Sequence, residues 1–260
     1  MRILGVIPAR YASSRLPGKP LADIAGKSMV QRVVEQAGLC RSLADVVVAT
    51  DDRRIRDHVL GFGGKAVLTA DSHPSGTDRC WEALEKIGPE LFDGVANIQG
   101  DEPFIAPEQI DQVCQCLAQR EVTIATLAQV VATDSDLEDP GEVLVTVDRA
   151  MDALYFSRAA IPFLRKRGPG PLHRQFRFLK HVGIYAYRTE ALRRIVEMPP
   201  SALEQAESLE QLRWLENGIR VRVGITEHPS FCVDTPEDLE AARAVAAARA
   251  SGPGGAPRGD

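Results

Sequence analysis

The chain has 260 residues, 44% hydrophobic and 26% charged, with a formal net charge of −5 and an isoelectric point near 5.6. This composition is that of an ordinary globular protein, with one large domain or two small ones, and its acidic balance argues against general nucleic-acid binding. No apolar run is long enough to span a membrane and the N-terminus shows no signal-peptide pattern, so we expect a cytoplasmic protein.

The cysteines are odd in number and scattered along the chain, and none has the spacing of a zinc site. We therefore expect free thiols in a reducing compartment. The five are Cys40, Cys80, Cys114, Cys116 and Cys232.

The first predicted element is a buried strand over residues 3–7, which Pro8 ends because proline lacks a backbone donor. The loop that follows carries three cations, Arg10, Arg15 and Lys19. A loop leaving the carboxyl end of a central strand is where an open α/β sheet binds its ligand, and arginine forks match phosphate oxygens. The pattern favours a triphosphate-binding loop; a solvated surface loop is the alternative.

Helical and strand patterns alternate after this loop. A helix over 28–39 with Ser28 as N-cap precedes a strand over 46–50, and a strand over 66–69 follows a helix capped at Asp51-Asp52. This order predicts an α/β, Rossmann-like fold with a mostly parallel central sheet flanked by helices. An NAD-dependent oxidoreductase has a similar order, but the glycine fingerprint of that class does not follow the first strand.

A polar segment over residues 71–79 precedes the next helix, predicted over 78–87. Ser75 or Thr77 can cap this helix, whose N-terminus favours an anion or the polar edge of a base. Helix capping accounts for one or two of these side chains. Hydroxyls and backbone donors among the others can read a nucleobase.

The segment 95–103 combines a strand ending at Gln99 with a tight turn at Gly100 that projects Asp101. This places the Asp101 carboxylate at the sheet edge that carries the first loop. Mg²⁺ usually takes one or two carboxylates and fills its other positions with phosphate oxygens and water, so Asp101 is a candidate Mg²⁺ ligand. Capping of the helix that begins near Pro107 is the alternative role.

The second half of the chain predicts a helix over 107–117 and strands over 123–131, 143–147, 180–188 and 221–225. A basic stretch over 165–180, broken by Gly168-Pro169-Gly170-Pro171, predicts a projecting excursion that serves as an interface or gate; a nucleic-acid arm is the weaker alternative. A helix with Leu209, Leu212 and Leu215 ends at Gly218, and a last helix begins after Asp234 or Thr235 as N-cap and runs to about Arg249. Residues 250–260 predict a disordered tail.

Six motifs in this order resemble those of the 3-deoxy-manno-octulosonate (Kdo) cytidylyltransferases, also called CMP-Kdo synthetases, and the resemblance extends to Arg249. They are Pro-Ala-Arg-Tyr-Ala-Ser-Ser-Arg-Leu-Pro-Gly-Lys-Pro, His-Pro-Ser-Gly-Thr-Asp-Arg, Gln-Gly-Asp-Glu-Pro, Tyr-Phe-Ser-Arg, His-Val-Gly-Ile-Tyr and Val-Asp-Thr-Pro-Glu-Asp-Leu.

This resemblance implies a single nucleotidyltransferase domain over 1–249 with a smaller inserted sugar-binding and dimerisation subdomain at about 150–200. The implied reaction joins CMP from CTP to Kdo with release of pyrophosphate, as a step toward lipopolysaccharide, in a homodimer whose contact we expect around residues 165–188. The implied cofactor is Mg²⁺, held by Asp101 and Asp234. The implied partners are CTP and Kdo, with no nucleic acid and no membrane.

The resemblance also assigns roles to single residues. Arg10, Lys19 and Asp101 are the expected catalytic residues. The expected nucleotide-binding residues are Pro8, Ala9, Arg10, Arg15, Lys19, Ser75, Gly76, Thr77, Arg79 and Gln99. The expected sugar-binding residues are Gln99, Arg158, His181, Tyr185, Glu210 and Gln211. The chain departs from the family at Leu144, where relatives commonly carry a lysine, so one cationic contact is in doubt.

Two features stay open at this level. The acceptor can be a related acidic sugar (8-amino-Kdo or a sialic acid) or a sugar 1-phosphate, because the sequence does not display the sugar pocket. A catalytically silent nucleotide-binding regulator would share the same loop. Without the resemblance, five of the six expected sugar contacts also have an ordinary explanation: a salt bridge at Arg158, packing at His181 and Tyr185, and a solvated helix face at Glu210 and Gln211.

Overall fold

A nine-stranded sheet with helices on both faces organises the computed structural model, which describes residues 1–12 and 15–251. The strands are β1 (Ile3–Pro8), β2 (Asp23–Ile24), β3 (Lys27–Ser28), β4 (Leu43–Thr50), β5 (Ala66–Leu68), β6 (Gly94–Asn97), β7 (Ile124–Val130), β8 (Leu144–Val147), β9 (Ala153–Ser157), β10 (Leu179–Arg188) and β11 (Arg222–Ile225). The helices are α1 (Met29–Gly38), α2 (Arg53–Gly61), α3 (Gly76–Ile87), α4 (Pro107–Ala118), α5 (Ser135–Glu138), α6 (Thr189–Val196), α7 (Ala202–Glu207), α8 (Gln211–Glu216) and α9 (Pro236–Ser251).

The strand order in the sheet is β11-β7-β10-β6-β1-β4-β5; off this path β8 pairs with β10, and β9 pairs with β8. Strands β5, β4, β1 and β6 run parallel, as do β11 and β7, whereas β10 is antiparallel to β6, β7 and β8. The expected α/β fold with a mostly parallel central sheet is confirmed. Strand β2 pairs only with β3, in a small separate hairpin.

Alternation along β1 explains why helices cover both faces of the sheet. Leu4 and Val6 face a core that α3, α6 and α8 complete, whereas Ile3 and Ile7 face a second core formed with α1, α2 and α4. All four side chains are buried. A strand buried on both sides is the pattern expected for the centre of a parallel sheet.

Three of the helix starts follow the predicted caps. The side chains of Ser28, Asp52 and Ser75 accept hydrogen bonds from backbone amides in the first turns of α1, α2 and α3. Thr235 caps α9 in the same way, because its hydroxyl accepts the Asp238 amide at 3.2 Å. The Asp238 carboxylate in turn accepts the amides of Asp234 and Thr235. Small polar side chains at these positions therefore fix where the helices begin.

One element prediction in the second half was wrong. The single helix predicted before Gly218 is two helices, α7 and α8, since Ser208 adopts a left-handed backbone conformation (φ 55°) that interrupts the helical path. The last helix ends at Ser251, close to the predicted end at about Arg249, and residues 252–260 of the predicted tail lie outside the described residues.

Much of the stretch 150–200 continues the main sheet, since β9 pairs with β8 and β10 lies between β6 and β7. The part that projects is the connection over 158–178, which contains one 3-10 turn, Leu172–Arg174. A small apolar cluster of Val131, Leu137, Leu144 and Phe178 lies beneath it. No helix in the described part of the chain has both the length and the apolar character that a bilayer span requires.

Candidate active site

A cleft of about 290 Å³ opens beyond the carboxyl ends of β1 and β6. This is the position at which open α/β sheets bind ligands. Its lining residues are Pro8, Ala9, Arg10, Arg15, Lys19, Pro20, His73, Pro74, Ser75, Gly76, Arg79, Gln99, Gly100, Asp101 and Asp234. The cleft therefore joins the first loop, the start of α3, the turn after β6 and the segment before α9.

Lys19 reaches the cleft through the local conformation of the first loop. Gly18 has a left-handed backbone (φ 71°), and its amide donates to the carbonyl of Tyr11 at 3.1 Å. A 3-10 turn, Lys19–Leu21, begins directly after it with Pro20 in its first positions. A residue with a β-carbon is strained in this conformation, so glycine suits the turn that presents Lys19.

Asp101 is placed by a close backbone approach. A β-carbon on Gly100 would lie 2.6 Å from the carbonyl oxygen of Pro8, so only glycine lets this turn rest against the end of β1. The carbonyl of Asp101 accepts the amide of Val233 at 2.9 Å. Val233 is fully buried, and Asp234 follows it. The turn after β6 and the segment before α9 are thus pinned together, and they bring the two carboxylates to one side of the cleft.

The Lys19 ammonium bridges these two carboxylates. Its Nζ lies 2.7 Å from Asp101 Oδ2 and 2.9 Å from Asp234 Oδ1. Burial alone would lower the pKa of Lys19, but the neighbouring carboxylates of Asp101 and Asp234 outweigh burial and the pKa lies above its usual value. Arg15 adds a second contact to Asp234, at 3.0 Å. Two acidic groups and two cations therefore meet at one rim of the cleft.

The geometry of this rim fits a divalent cation. Asp101, Asp234 and Cys232 each have a ligand atom, and these atoms all lie within 4.8 Å of one another. The thiol of Cys232 is a poor third ligand for Mg²⁺, which prefers oxygen. Burial and the nearby carboxylates also raise its pKa, so the thiol keeps its proton. The two carboxylates are consequently the donors suited to Mg²⁺.

Glu102 lies next to this rim but not in the cleft. Its side chain is buried, and its Oε2 accepts the hydroxyl of Ser230 at 2.9 Å. Burial, together with the charge of Asp101, raises the pKa of Glu102 to about 7. Glu102 therefore ties the turn after β6 to the segment that leads to Asp234, which fits a structural role.

The start of α3 carries a contact that the sequence did not reveal. Ser75 Oγ and Thr77 Oγ1 donate to the two oxygens of the Glu210 carboxylate, at 3.1 and 2.7 Å. Burial raises the pKa of Glu210 even though these hydroxyls favour its charged form. Ser75 and Gly76 line the cleft, whereas Thr77 is buried behind it. Both hydroxyls thus face a carboxylate, and Ser75 also caps α3.

The remaining two cations of the cleft differ in their surroundings. Arg79 is buried, and its guanidinium donates to Thr69 Oγ1 at 2.5 Å and to the carbonyl of Ala70 at 3.2 Å. Arg10 is exposed and makes no hydrogen bond or ion pair with any other described residue. Arg10 is therefore free to meet an anion, while Arg79 is held in place by the protein.

Gln99 links the cleft to strand β10. Its side-chain amide donates to the carbonyl of Gly183 at 2.8 Å. The pairing of β10 with β7 shifts register between Val182 and Tyr185, which is the signature of a β-bulge. The predicted regular strand with His181 and Tyr185 on one face is therefore irregular here, although their ring centroids still lie only 5.3 Å apart.

His181 and Tyr185 lie behind the cleft wall, in the aromatic core. His181 Nε2 is 3.0 Å from Thr126 Oγ1, and its ring packs edge-on against Phe156. Burial lowers the pKa of His181 to about 3, so the imidazole is neutral at ordinary pH. Tyr185 packs edge-on against Trp214 with centroids 5.2 Å apart.

Of the six expected sugar-binding residues, Gln99 alone is among the residues lining the described cleft. Arg158 is exposed and donates to the carbonyls of Glu207 and Pro140, and Gln211 is buried at the start of α8. Leu144 is buried in the apolar cluster beneath the projecting connection, so its position does not contribute to the cleft. The expected nucleotide-binding residues, except Thr77, therefore meet in the lining of this cleft, whereas the expected sugar-binding residues do not.

Asn97 and Trp214 are two polar side chains that sequence reasoning missed. Asn97 Oδ1 and Trp214 Nε1 are buried and have no hydrogen-bond partner among the described residues. Asn97 pairs with Tyr185 across β6 and β10, and its Nδ2 would lie 3.7 Å from a β-carbon on Gly76 of the cleft wall. The sequence offered one signal for Asn97, a polar residue within an otherwise apolar predicted strand, two residues before Gln99.

Comparisons with known proteins agree with this geometry. A family model described as Cytidylyltransferase matches residues 4–222. The chain is 51% identical to a 3-deoxy-manno-octulosonate cytidylyltransferase of Parabacteroides distasonis, over 96% of this chain and the whole of that protein. It is 50% identical to the protein of the same name from Bacteroides thetaiotaomicron, over 92% of this chain and 96% of that protein.

A solved structure is also similar. It is CMP:2-keto-3-deoxy-manno-octonic acid synthetase complexed with CTP, which is 44% identical to this chain with a TM-score of 0.88, covering 96% of this chain and all of that one. The matched length and identity leave no large part of the fold unaccounted for. The chain therefore belongs to the 3-deoxy-manno-octulosonate cytidylyltransferase family.

Proposed function

We propose that this protein is a nucleotidyltransferase that transfers CMP from CTP to Kdo. The anomeric hydroxyl of the sugar attacks the α-phosphorus in line, a new oxygen–phosphorus bond forms, the bond to the β-phosphate oxygen breaks, and pyrophosphate leaves. The hydroxyl proton passes to solvent. The observation that carries the proposal is the cleft in which the cations of the first loop face Asp101 and Asp234, in a chain of this family.

The cations of the cleft would bind the triphosphate. Arg10 is exposed with no partner among the described residues, and Arg15 and Lys19 stand beside it in the lining. Fixed positive charges that face the leaving pyrophosphate stabilise the charge that builds there. Because such transfers depend mainly on positioning and electrostatics, no protein nucleophile is required.

The nucleoside would lie toward the start of α3. Ser75, Gly76 and Arg79 line this side of the cleft, next to Pro8 and Ala9 at the end of β1. Ser75 and Thr77 are held by Glu210, so the polar edge of the base would meet a wall that is already ordered. Selection of cytosine over uracil is part of this proposal and rests on membership of the family.

Mg²⁺ is the proposed cofactor, and Asp101 and Asp234 would hold it. When bound, the ion supplies charge neutralisation at the phosphate and a lowered pKa for the attacking hydroxyl. Asp101 is fixed by the glycine turn and by Val233, and Asp234 by its position one residue beyond that contact. The backbone around Asp101 and Asp234 therefore holds both carboxylates at the edge of the cleft where the phosphates would bind.

The acidic sugar would bind beyond Gln99, toward β10 and α8. Gln99 supports this placement, since it lines the cleft and its side-chain amide donates to the carbonyl of Gly183 on β10. Glu210 accepts hydrogen bonds from Ser75 and Thr77 at the start of α3, and His181 contacts Tyr185 on β10. Arg158 remains the proposed carboxylate ligand, although it would have to exchange its present contacts with backbone carbonyls.

Three further parts of the proposal concern the cellular setting. The enzyme would lie in the cytoplasm, supply an activated sugar for lipopolysaccharide and act as a homodimer. The central part of β10 is buried in the sheet, so the predicted contact at 165–188 narrows to the projecting connection. Large apolar side chains are exposed there, with Phe163 at 75% and Phe176 at 43%.

Release of pyrophosphate from CTP tests the reaction. We expect release with CTP, Kdo and Mg²⁺ together, and not when the sugar or the ion is left out. A panel of 8-amino-Kdo, a sialic acid and a sugar 1-phosphate identifies the acceptor, and UTP tests the base. No release with any acceptor would favour a silent nucleotide-binding regulator and would overturn the proposal.

A further inference from the structure

Lys19 lies where a metal ion would have to interact with Asp101 and Asp234. The ammonium contacts both carboxylates, at 2.7 and 2.9 Å, and its side chain is only 14% exposed. Charge-assisted hydrogen bonds of this length are the strong kind, and two of the three ammonium protons are committed to them. The carboxylates are thus already neutralised in part by a charge that belongs to the protein.

We infer that Lys19 is an internal counter-ion that keeps divalent cations from binding to Asp101 and Asp234 until a nucleoside triphosphate draws the ammonium away. Metal and nucleotide would therefore bind cooperatively. This inference rests on the proposed function of the site and goes beyond it, because it concerns the order and coupling of binding. It makes the carboxylate pair a poor metal site alone and a good one beside a bound triphosphate.

Three features of the chain support an exchange of this kind. The ammonium is carried by a flexible four-carbon stem, so its head can move while its backbone stays on the 3-10 turn. The same cleft is lined by Arg10, whose guanidinium has no partner among the described residues, so a polyanion has a first contact before Lys19 is released. Finally, Arg15 is 64% exposed and, among the described residues, forms its ion pair with Asp234 and none with Asp101, so Lys19 is the contact that joins both carboxylates.

A purely structural ion pair is the competing explanation. In that case removal of the ammonium would loosen the rim, and the affinity for a divalent ion would fall or stay unchanged. If Lys19 instead excludes the ion, removal of the ammonium raises the affinity for a divalent ion. The two explanations therefore separate on metal binding in the absence of nucleotide, without any measurement of turnover.

The test measures Mn²⁺ binding to the full chain from the electron paramagnetic resonance signal of the free ion. We expect Lys19→Met to bind Mn²⁺ at least about tenfold more tightly than the wild type when no nucleotide is present, a coupling within the usual allosteric range. Lys19→Gln repeats the loss of charge with a polar side chain. Arg10→Met is the matched control, since it removes one positive charge from the cleft without breaking a contact to either carboxylate, and we expect a change of less than about twofold.

The second arm adds CTP and follows Mn²⁺ by the relaxation rate of water protons, which distinguishes the protein-bound ion from Mn²⁺–CTP in solution. CTP should strengthen Mn²⁺ binding to the wild type by a larger factor than it does for Lys19→Met. Equal Mn²⁺ affinity of wild type, Lys19→Met and Lys19→Gln without nucleotide would overturn the inference and leave the proposed site intact. Mn²⁺ binding that Asp101→Asn leaves unchanged in the presence of CTP would overturn the site itself.

Discussion

Gly100 decides how closely the turn that carries Asp101 approaches the end of β1. A methyl group there would lie 2.6 Å from the Pro8 carbonyl oxygen, well inside normal contact, and that oxygen belongs to backbone that cannot rotate away. We predict that Gly100→Ala destabilises the fold by about 1–3 kcal/mol and moves Asp101 enough to lower kcat roughly 100-fold. Urea unfolding and pyrophosphate release measure the two effects.

Gly61→Ala is the matched control, because a β-carbon at Gly61 meets no atom within 4 Å. It should leave both stability and turnover close to wild type. Full activity in Gly100→Ala would contradict the close approach of the two backbones.

His181 gives the protein a pH-dependent stability. In the unfolded chain this imidazole takes up a proton below its ordinary pKa of 6.5, whereas burial keeps it neutral in the folded chain down to about pH 3. The unfolded state therefore binds more protons between these values, and the free energy of unfolding falls as the pH is lowered, by up to about 1.4 kcal/mol per pH unit. Its stabilising contribution is complete above pH 6.5.

Nuclear magnetic resonance of the imidazole protons tests this directly. The His181 signals should stay at their neutral positions from pH 8 to pH 5, and the urea midpoint should fall over the same range. A His181 signal that titrates near pH 6.5 would contradict a buried neutral ring.

The sequence predicted the positions of the cleft-lining residues better than those of the expected sugar-binding residues, and the reason is physical. Pro8, Lys19, Gln99 and Asp101 follow the ends of adjacent parallel strands, and the fold class alone brings such ends together. Glu210 directly precedes the short helix α8 and Tyr185 lies on the bulged strand β10, and the positions of both elements depend on packing around Trp214. Spacing along the chain carries no information on that packing.

The start of α9 connects helix capping to the metal edge of the cleft. Thr235 caps α9, and the Asp238 carboxylate holds the amides of Asp234 and Thr235. We predict that Thr235→Val lowers the free energy of unfolding by about 1 kcal/mol and also lowers kcat, because Asp234 loses its fixed direction. Urea unfolding and steady-state pyrophosphate release give the two values.

Ser201→Ala provides the control for this element. Ser201 caps α7 with a hydrogen bond to the Glu204 amide, and it is not part of the cleft. It should cost a similar free energy of unfolding without a change in kcat. Equal effects of the two variants on kcat would show that the cap of α9 does not position Asp234.

Most element boundaries in the first half followed from sequence, and two features of the second half did not. Ser28, Asp52 and Ser75 marked their helix starts because a cap is a local interaction within three residues. The break between α7 and α8 requires a left-handed backbone at Ser208. The usual sequence signal for that conformation is a glycine or asparagine, and a serine stands there instead. The bulge in β10 likewise arises from pairing with β7, a partner about 55 residues away, so local pattern could not show it.

At the scale of the whole molecule, the sheet order explains why an open cleft lies beside an enclosed aromatic core. The parallel strands carry the cleft residues, whereas antiparallel β10 inserts between β6 and β7 and brings the aromatic core up behind the cleft wall. The alternation of strands and helices predicted the parallel part. The reversed direction of β10 depends on a chain crossing over 158–178 that the sequence showed only as an excursion.

Exposed apolar side chains on this excursion predict the oligomeric state. We expect light scattering with size exclusion to give about twice the chain mass of 28.3 kDa for the wild type, and Phe163→Asp together with Phe176→Asp to shift it to the single chain. Arg41→Asp, at an exposed residue between α1 and β4, should leave the dimer intact. A wild-type monomer at micromolar concentration would contradict the predicted homodimer.

The most direct measurement is the rate of pyrophosphate release from CTP, Kdo and Mg²⁺ by Asp101→Asn and Asp234→Asn, each compared with wild type. Asp57→Asn serves as control, because Asp57 is an exposed carboxylate on α2 that pairs with Arg56. Both site variants should keep the folded circular dichroism spectrum and lose at least about 100-fold in kcat, while the control stays near wild type. Near-normal turnover by either site variant would contradict the joint role of the two carboxylates.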